Sequence, residues 1–420
     1  MKDPFEKIIG YEDIKKELRI ISDMMNHPEV YKKMGASMER GLLLYGKPGT
    51  GKTTMANCLI NSTKRSCFTC RKKNTDGEFV EKIVQIFEEA KKNAPSIIFL
   101  DDVDKFTDKP EGYESPEEFV TIQTCMDELA DSDVFVIATA NNYDRLPDSL
   151  LRPGRLGKGI KVRIPRKDET AEIIKFYLDQ VNTSKDLDPV SIAMMLEDES
   201  CAVLGDVVRA AAVKSAYNRQ DCITMDNIVD ACLDLVFDAK EFKHPYSDET
   251  IRRTAYHEAG HALAAELLDP GSVSIASVRA SGGPRLGFVR YSRKNREEIT
   301  FDYHVNMLKT SLAGKAATEI VYGESDTGAN SDLHHAFDMA EDVVDNYCSY
   351  GFHNWIQDRD SDGSAENRNR AMAIIMETYY MDVKKLLIQN RQKLDVIAAE
   401  LMKRTTLIHK DIGIIMKTPA

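Results

Sequence analysis

Gly46-Lys47-Pro48-Gly49-Thr50-Gly51-Lys52-Thr53 fits the pattern G-x-x-x-x-G-K-[ST]. The apolar run Leu42 to Tyr45 before it reads as a buried strand, and Thr54 to Ile60 after it reads as a helix. Between a strand and a helix, such a loop wraps backbone N–H groups around phosphate oxygens, at a helix N-terminus that already favours anions. Gly46, Pro48, Gly49, Thr50 and Gly51 are therefore the expected phosphate cradle. Lys52 is expected to reach the β- and γ-phosphates, and Thr53 to ligate Mg²⁺.

Further strands complete this reading. Ile97-Ile98-Phe99-Leu100 is an apolar strand that runs into Asp101-Asp102. Asp101 is expected to hold Mg²⁺ through water, and Asp102 to polarise the attacking water. Val136 to Asn141 is another strand with a polar end, which gives Asn141 the role of orienting water or sensing the γ-phosphate. Arg152-Pro153-Gly154-Arg155 follows, and Arg155 is a candidate arginine finger acting across a subunit boundary. Residues 1–165 thus alternate β-rich and helical runs, as a parallel sheet wrapped by helices requires. Residues 168–237 read as helices, and 238–250 as a polar connector containing Pro245. From there to residue 420 the pattern is mostly helical, with one β-like patch from Val273 to Tyr291 and a polar loop around Gln357 to Asn367.

Within that last part stands His257-Glu258-Ala259-Gly260-His261, in a helix-compatible run from Thr254 to Leu268. Residues i and i+4 share one face of a helix, so both imidazoles reach a single metal ion. Glu258 is then placed to take a proton from water that the metal polarises. Zn²⁺ takes His nitrogen and carboxylate oxygen, so one more protein ligand is needed. Glu319, in the helical run Ala313 to Tyr322, and Asp332, near a helix start, stand level on spacing. His334 and His335 point about 100° apart on a helix, so at most one of them serves. Asp332 also suits a helix cap.

The chain has 420 residues, 42% hydrophobic and 30% charged, with a net charge of -12. That acidity argues against nucleic acid as a partner. No apolar run is long enough to span a bilayer. The cysteines are scattered rather than paired in a framework, which points to a reducing, cytoplasmic setting. Cys67-Phe68-Thr69-Cys70 is a lone C-x-x-C, read as a plain strand rather than a zinc half-site or redox motif.

Taken together, the chain resembles the FtsH-type AAA zinc metalloproteases over nearly its whole length. Phe5-Glu6-Lys7-Ile8-Ile9-Gly10 is similar to the family's opening segment, in which the residues at Ile9 and Gly10 contact adenine. The phosphate loop, Asp101, Asn141 and Leu150 to Arg155 fall in family order. Thr254 to His261 is close to the family's zinc helix, and Thr327-Gly328-Ala329-Asn330-Ser331-Asp332 matches the segment that ends in its third zinc ligand. The resemblance therefore favours Asp332 and leaves Glu319 a supporting carboxylate. Pro284 to Tyr291 resembles the strand on which substrate is laid, whose edge a peptide joins through main-chain hydrogen bonds. The implied architecture is a multidomain chain. An α/β P-loop AAA ATPase domain with a parallel sheet (1–165) and an α-helical lid (166–240) precedes a mainly α-helical zinc metallopeptidase domain (241–420). The implied cofactors are ATP, Mg²⁺ and Zn²⁺. The implied machine is a homohexamer that threads unfolded polypeptide into a chamber of zinc sites, with Arg155 acting in trans.

The chain departs from that family in particular places. The membrane anchor has no counterpart before Met1, which implies a soluble or shortened version. Asp102 replaces the usual Glu, one methylene shorter, and Lys158 replaces an arginine and loses its bidentate fork. The aromatic pore motif is missing from Arg71 to Phe79. These changes weaken the expected motor more than the expected peptidase. Two alternatives follow: a zinc peptidase whose weak ATPase ring mainly promotes assembly, and a non-proteolytic remodelling ATPase.

Overall fold

The computed structural model describes residues 3–36, 39–72, 78–107, 116–157, 159–239, 246–280, 286–292, 300–324, 327–347 and 362–418. Lys158, most of the atypical pore segment and residues 357–361 of the expected polar loop lie outside them, while 362–367 of that loop are helical instead. The helices and strands run as α1 (Glu12–Asn26), α2 (Pro28–Lys33), β1 (Gly41–Tyr45), α3 (Lys52–Asn61), β2 (Ser66–Cys70), α4 (Phe79–Lys92), β3 (Ser96–Leu100), α5 (Glu117–Glu128), β4 (Val134–Ala140), β5 (Ile160–Lys161) and α6 (Lys167–Leu178). They continue as α7 (Pro189–Met195), α8 (Cys201–Tyr217), α9 (Met225–Leu235), α10 (Asp248–Leu268), β6 (Val273–Ala280), β7 (Leu286–Tyr291), α11 (Phe301–Tyr322), α12 (Asn330–Asp345), α13 (Asp362–Gln389), α14 (Arg391–Arg404), β8 (Thr406–Ile408) and α15 (His409–Lys417).

The chain divides into two compact units, one of residues 1–183 with 198–222, the other of 184–197 with 223–420. The first is built on a parallel sheet in the order β2-β3-β4-β1-β5. Every residue of β3 and β4 is buried, as their unbroken apolar runs require when both faces of a sheet are covered. Parallel register brings the carboxyl ends of β1, β3 and β4 to one edge. The loop after Tyr45, Asp101 after Leu100 and Asn141 after Ala140 all emerge there, the usual ligand side of such sheets. Cys67 is exposed and Cys70 buried, as positions of opposite parity on one strand must be.

The second unit surrounds α10, which packs against α11, α14 and β6. Ala255, Ala259, Ala262, Ala313, Ala316 and Ala317 are all inaccessible in its core, and such small side chains let helix backbones approach closely. At Gly260 a Cβ would lie 2.6 Å from the Ala313 carbonyl oxygen, so α10 and α11 touch there nearly backbone to backbone. The β-like patch is an antiparallel pair, β6 with β7, which leaves β7 as a sheet edge. The sheet has a further strand that periodicity did not announce, β8, pairing with β6. A run as short as Thr406-Leu407-Ile408, directly joined to a helix, carries too few residues to display a period. No described helix is long and apolar enough to cross a membrane.

Candidate functional site

In the first unit, β1 ends in the phosphate loop. Gly46 has φ +148°, and a Cβ there would lie 2.1 Å from the Val162 carbonyl oxygen, so only glycine fits. Lys52 is buried, and its ammonium donates to the carbonyls of Gly46 at 2.8 Å and Lys47 at 2.9 Å. Burial lowers its pKa, while Asp102 and Asp104 oppose that shift. Thr53 Oγ1 donates to Asp101 Oδ1 at 3.1 Å, and Thr139 Oγ1 donates to the same oxygen at 2.9 Å. The hydroxyl and carboxylate expected to serve Mg²⁺ are thus adjacent.

Asp102 adopts φ +56°, an unusual backbone state for a residue with a side chain. Its N–H donates to Thr139 Oγ1 at 2.9 Å, and its carboxylate accepts from Asn141 at 3.1 Å and from Lys105 at 2.8 Å. Asp104 accepts the backbone N–H groups of Asn141 and Asn142, which fixes the end of β4. Arg155 lies among other groups of its own chain: its guanidinium forks onto Asp127 at 3.0 and 2.8 Å and donates to the Ser149 carbonyl.

Ile9 and Gly10 are followed by Tyr11, whose N–H donates to Glu169 at 2.9 Å. The Tyr11 hydroxyl donates to the Arg163 carbonyl at 3.1 Å and touches Cys201 Sγ, which also contacts the Thr50 carbonyl at 3.8 Å. Glu169 is held below its usual pKa range, for Arg163 and the N–H groups of Arg166 and Tyr11 outweigh its burial. No local motif marks Glu169 or Cys201, because their role depends on segments distant in sequence.

In the second unit, α10 carries His257, Glu258 and His261, and the first turn of α12 carries Asp332. His257 Nε2 lies 3.0 Å from Asp332 Oδ2 and 3.1 Å from His261 Nε2, and His261 Nε2 lies 3.4 Å from Asp332 Oδ2. Ligands of tetrahedral Zn²⁺ at bond lengths of about 2.0–2.1 Å stand roughly 3.3 Å apart, so this triangle is the right size. Among the described residues it is the one such group of donors. His261 Nδ1 donates to the Thr310 carbonyl at 2.8 Å, which leaves Nε2 as the free lone pair. Burial works against the Asp332 carboxylate, yet hydrogen bonds from His257 and His261 hold it well below the ordinary range. Zn²⁺ fits this donor set.

Glu258 is 4% exposed. Burial pushes its pKa up to about 7, against the pull of His257 and His261. Its carboxyl group rests over Gly287 of β7, where a Cβ would lie 2.3 Å from Oε1. Gly287 has φ +81°, so both its backbone and the space above it call for glycine. Gly314 on α11 is a site residue that spacing did not reveal: a Cβ there would lie 2.4 Å from His261 Nε2 and 2.6 Å from His257 Nε2. The only sign of it in the sequence is the cluster of small residues Ala313, Gly314, Ala316 and Ala317 around Lys315. Glu319 sits elsewhere on α11, accepting from Lys384 at 2.9 Å, from Lys315 at 3.3 Å and from the Tyr380 hydroxyl.

Comparison with known proteins gives the same pairing of sites. Residues 42–164 match the ATPase family associated with various cellular activities (AAA), and residues 245–415 match peptidase family M41. The ATP-dependent zinc metalloprotease FtsH 2 of Thermoanaerobacter sp. (strain X514) is 29% identical over 97% of this chain and 82% of its own length. The ATP-dependent zinc metalloprotease FtsH of Ureaplasma parvum is 28% identical over 98% of this chain and 60% of its own length. That of Syntrophotalea carbinolica is 33% identical over 83% of this chain and 55% of its own length. The chain thus carries an AAA ATPase part and an M41 peptidase part, and it is similar over nearly its whole length to the FtsH-type ATP-dependent zinc metalloproteases.

Proposed function

We propose that this chain is an endopeptidase that degrades unfolded or misfolded polypeptides, with ATP hydrolysis in a homohexameric ring driving their translocation into a protease chamber. The observation that carries the proposal is the meeting of the His257, His261 and Asp332 donor atoms within one cavity that also holds Glu258.

His257, His261 and Asp332 hold Zn²⁺, which when bound supplies a Lewis acid that polarises a peptide carbonyl and acidifies water. Glu258 accepts the water's proton as its oxygen attacks the carbonyl carbon, then delivers that proton to the leaving amine nitrogen. The free edge of β7 receives the substrate as an added strand. In the other unit Thr53 and Asp101 hold Mg²⁺, and Lys52 exchanges its carbonyl partners for phosphate oxygens. Asp102 and Asn141 orient the attacking water, while Ile9 and Gly10 border the adenine. Arg155 leaves Asp127, Gln123 and the Ser149 carbonyl to serve the neighbouring subunit. We assign residues 1–165 to the large ATPase part, 166–240 to its lid and 241–420 to the peptidase. A reducing, cytoplasmic setting accords with the described cysteines, all of which are free.

A second reading, a ring that hydrolyses ATP slowly and mainly promotes assembly, is favoured by the short Asp102 carboxylate and its ion pair to Lys105 at 2.8 Å. The test uses Glu258→Gln and Lys52→Ala. Glu258→Gln is expected to lower casein cleavage by at least about 100-fold and to spare ATP turnover. Lys52→Ala is expected to abolish ATP turnover and its stimulation of casein degradation. Casein cleavage by Glu258→Gln at the wild-type rate would refute the catalytic assignment. Equal degradation with ATP and with a non-hydrolysable analogue would select the second reading.

A further inference from the structure

Tyr291, the last residue of β7, lines the same cavity of about 780 Å³ as His257, Glu258, His261 and Asp332. We propose that the Tyr291 hydroxyl is a catalytic hydrogen-bond donor, which stabilises the oxyanion that forms when water adds to the scissile peptide carbonyl. The inference rests on the peptidase reading above.

The phenol's neighbours locate it. Burial first, and then the negative charges of Glu258 and Asp332, raise its pKa. Gly287, Val289 and Tyr291 are alternate residues of β7, and all three line this cavity together with Glu258 and Asp332. A phenol ionises only near pH ~10, so the Tyr291 hydroxyl is protonated at neutral pH and can donate. Buried tyrosine hydroxyls usually find a partner, and others in this chain do: Tyr256 donates to Asp395 at 3.0 Å, Tyr11 to the Arg163 carbonyl and Tyr380 to Glu319. Tyr291 is half-buried, and no described residue accepts from its hydroxyl. Tyr322 also lacks a partner, but it does not line this cavity. A donor left unpaired beside the catalytic base, on the strand that receives the substrate, is preorganised for charge that appears only during the reaction.

The step balances without any further reagent. The water oxygen forms a bond to the carbonyl carbon, the carbonyl π pair moves onto its oxygen, and the water's proton goes to Glu258. Tyr291 donates a hydrogen bond to that new oxyanion and keeps its own proton. On collapse the C–N bond breaks, and Glu258 returns the proton to the amine nitrogen.

The test compares the wild type, Tyr291→Phe and Tyr291→Leu in the full zinc-loaded chain. The readouts are zinc content, cleavage of an internally quenched peptide, and affinity for a phosphinic peptide that mimics the tetrahedral state. Tyr291→Phe is expected to keep its zinc and its KM, and to lose about 100-fold in kcat. Its affinity for the phosphinic peptide should fall by a similar factor, and Tyr291→Leu should fare no worse. Wild-type kcat in Tyr291→Phe overturns the proposal. So does lost kcat with unchanged phosphinic affinity, or loss confined to Tyr291→Leu, which would make the ring only a wall. If the wild type cleaves nothing, it is the peptidase reading that fails; phosphinic binding by wild type and Tyr291→Phe still tests the donor separately.

Discussion

Gly314 has no side chain, and the two imidazoles occupy the space that one would fill. An alanine there must push His257 and His261 off their common centre or push α11 away. Gly314→Ala is expected to retain the fold of α10 and to bind zinc at least ~10-fold more weakly, the scale of losses when ligand support is disturbed. Zinc content after dialysis against a mild chelator measures this. The same assay separates the acidic candidates: Asp332→Asn loses zinc and Glu319→Gln keeps it. Zinc retained by Asp332→Asn would sink the choice of third ligand. His257 and His261 were legible because i, i+4 spacing is a property of one helix. Spacing left Asp332 level with Glu319, so only the resemblance favoured it, and Gly314 was not legible, because each matters through how α11 and α12 pack on α10. The phosphate loop was legible for the opposite reason to Glu169: its function resides in consecutive backbone groups.

At the scale of elements, α11 links the metal site to α13 through Glu319. Hydrogen bonds from Tyr380, Lys384 and Lys315 lower the Glu319 pKa from 4.5 to about 2. A carboxyl group whose folded pKa is depressed stabilises the fold above its unfolded pKa, and that contribution fades as pH falls from about 4.5 toward 2. The melting temperature of Glu319→Gln should therefore lie below that of the wild type at neutral pH, and the gap should narrow as pH drops through this window. A gap independent of pH would show that shape, not charge, joins α11 to α13. Long periodic helices such as α10, and apolar strands such as β3, were readable because packing on one or both faces imposes a pattern. β8 was not readable, since it is defined by its pairing with β6 rather than by any pattern of its own.

For the whole molecule, bound ligands set stability in the unit they occupy. Whatever binds only the folded state adds RT ln(1 + [L]/Kd), about 2.7 kcal/mol at a hundredfold excess over Kd. Stripping zinc with a chelator is expected to abolish peptide cleavage and lower the calorimetric melting temperature of the unit that carries α10. Mg·ATP is expected to raise that of the unit that carries β1. A melting profile indifferent to chelation would mean that the triad holds no metal. Residues 166–240, the proposed lid, are shared between the two compact units, with 184–197 and 223 onward in the second.

That interleaving bears on how the protein can be dissected. The chain passes between its units after residues 183, 197 and 222, so no single nick separates them. A fragment ending at 222 would carry α7 without its unit, leaving Ile192, Ala193 and Leu196, each 0% exposed in the intact chain, bare to water. A fragment beginning at 223 would uncover the β6 surface on which α7 packs. Each half, made alone, would present a greasy scar, and aggregation of such halves would report on the cut rather than on the stability of either site.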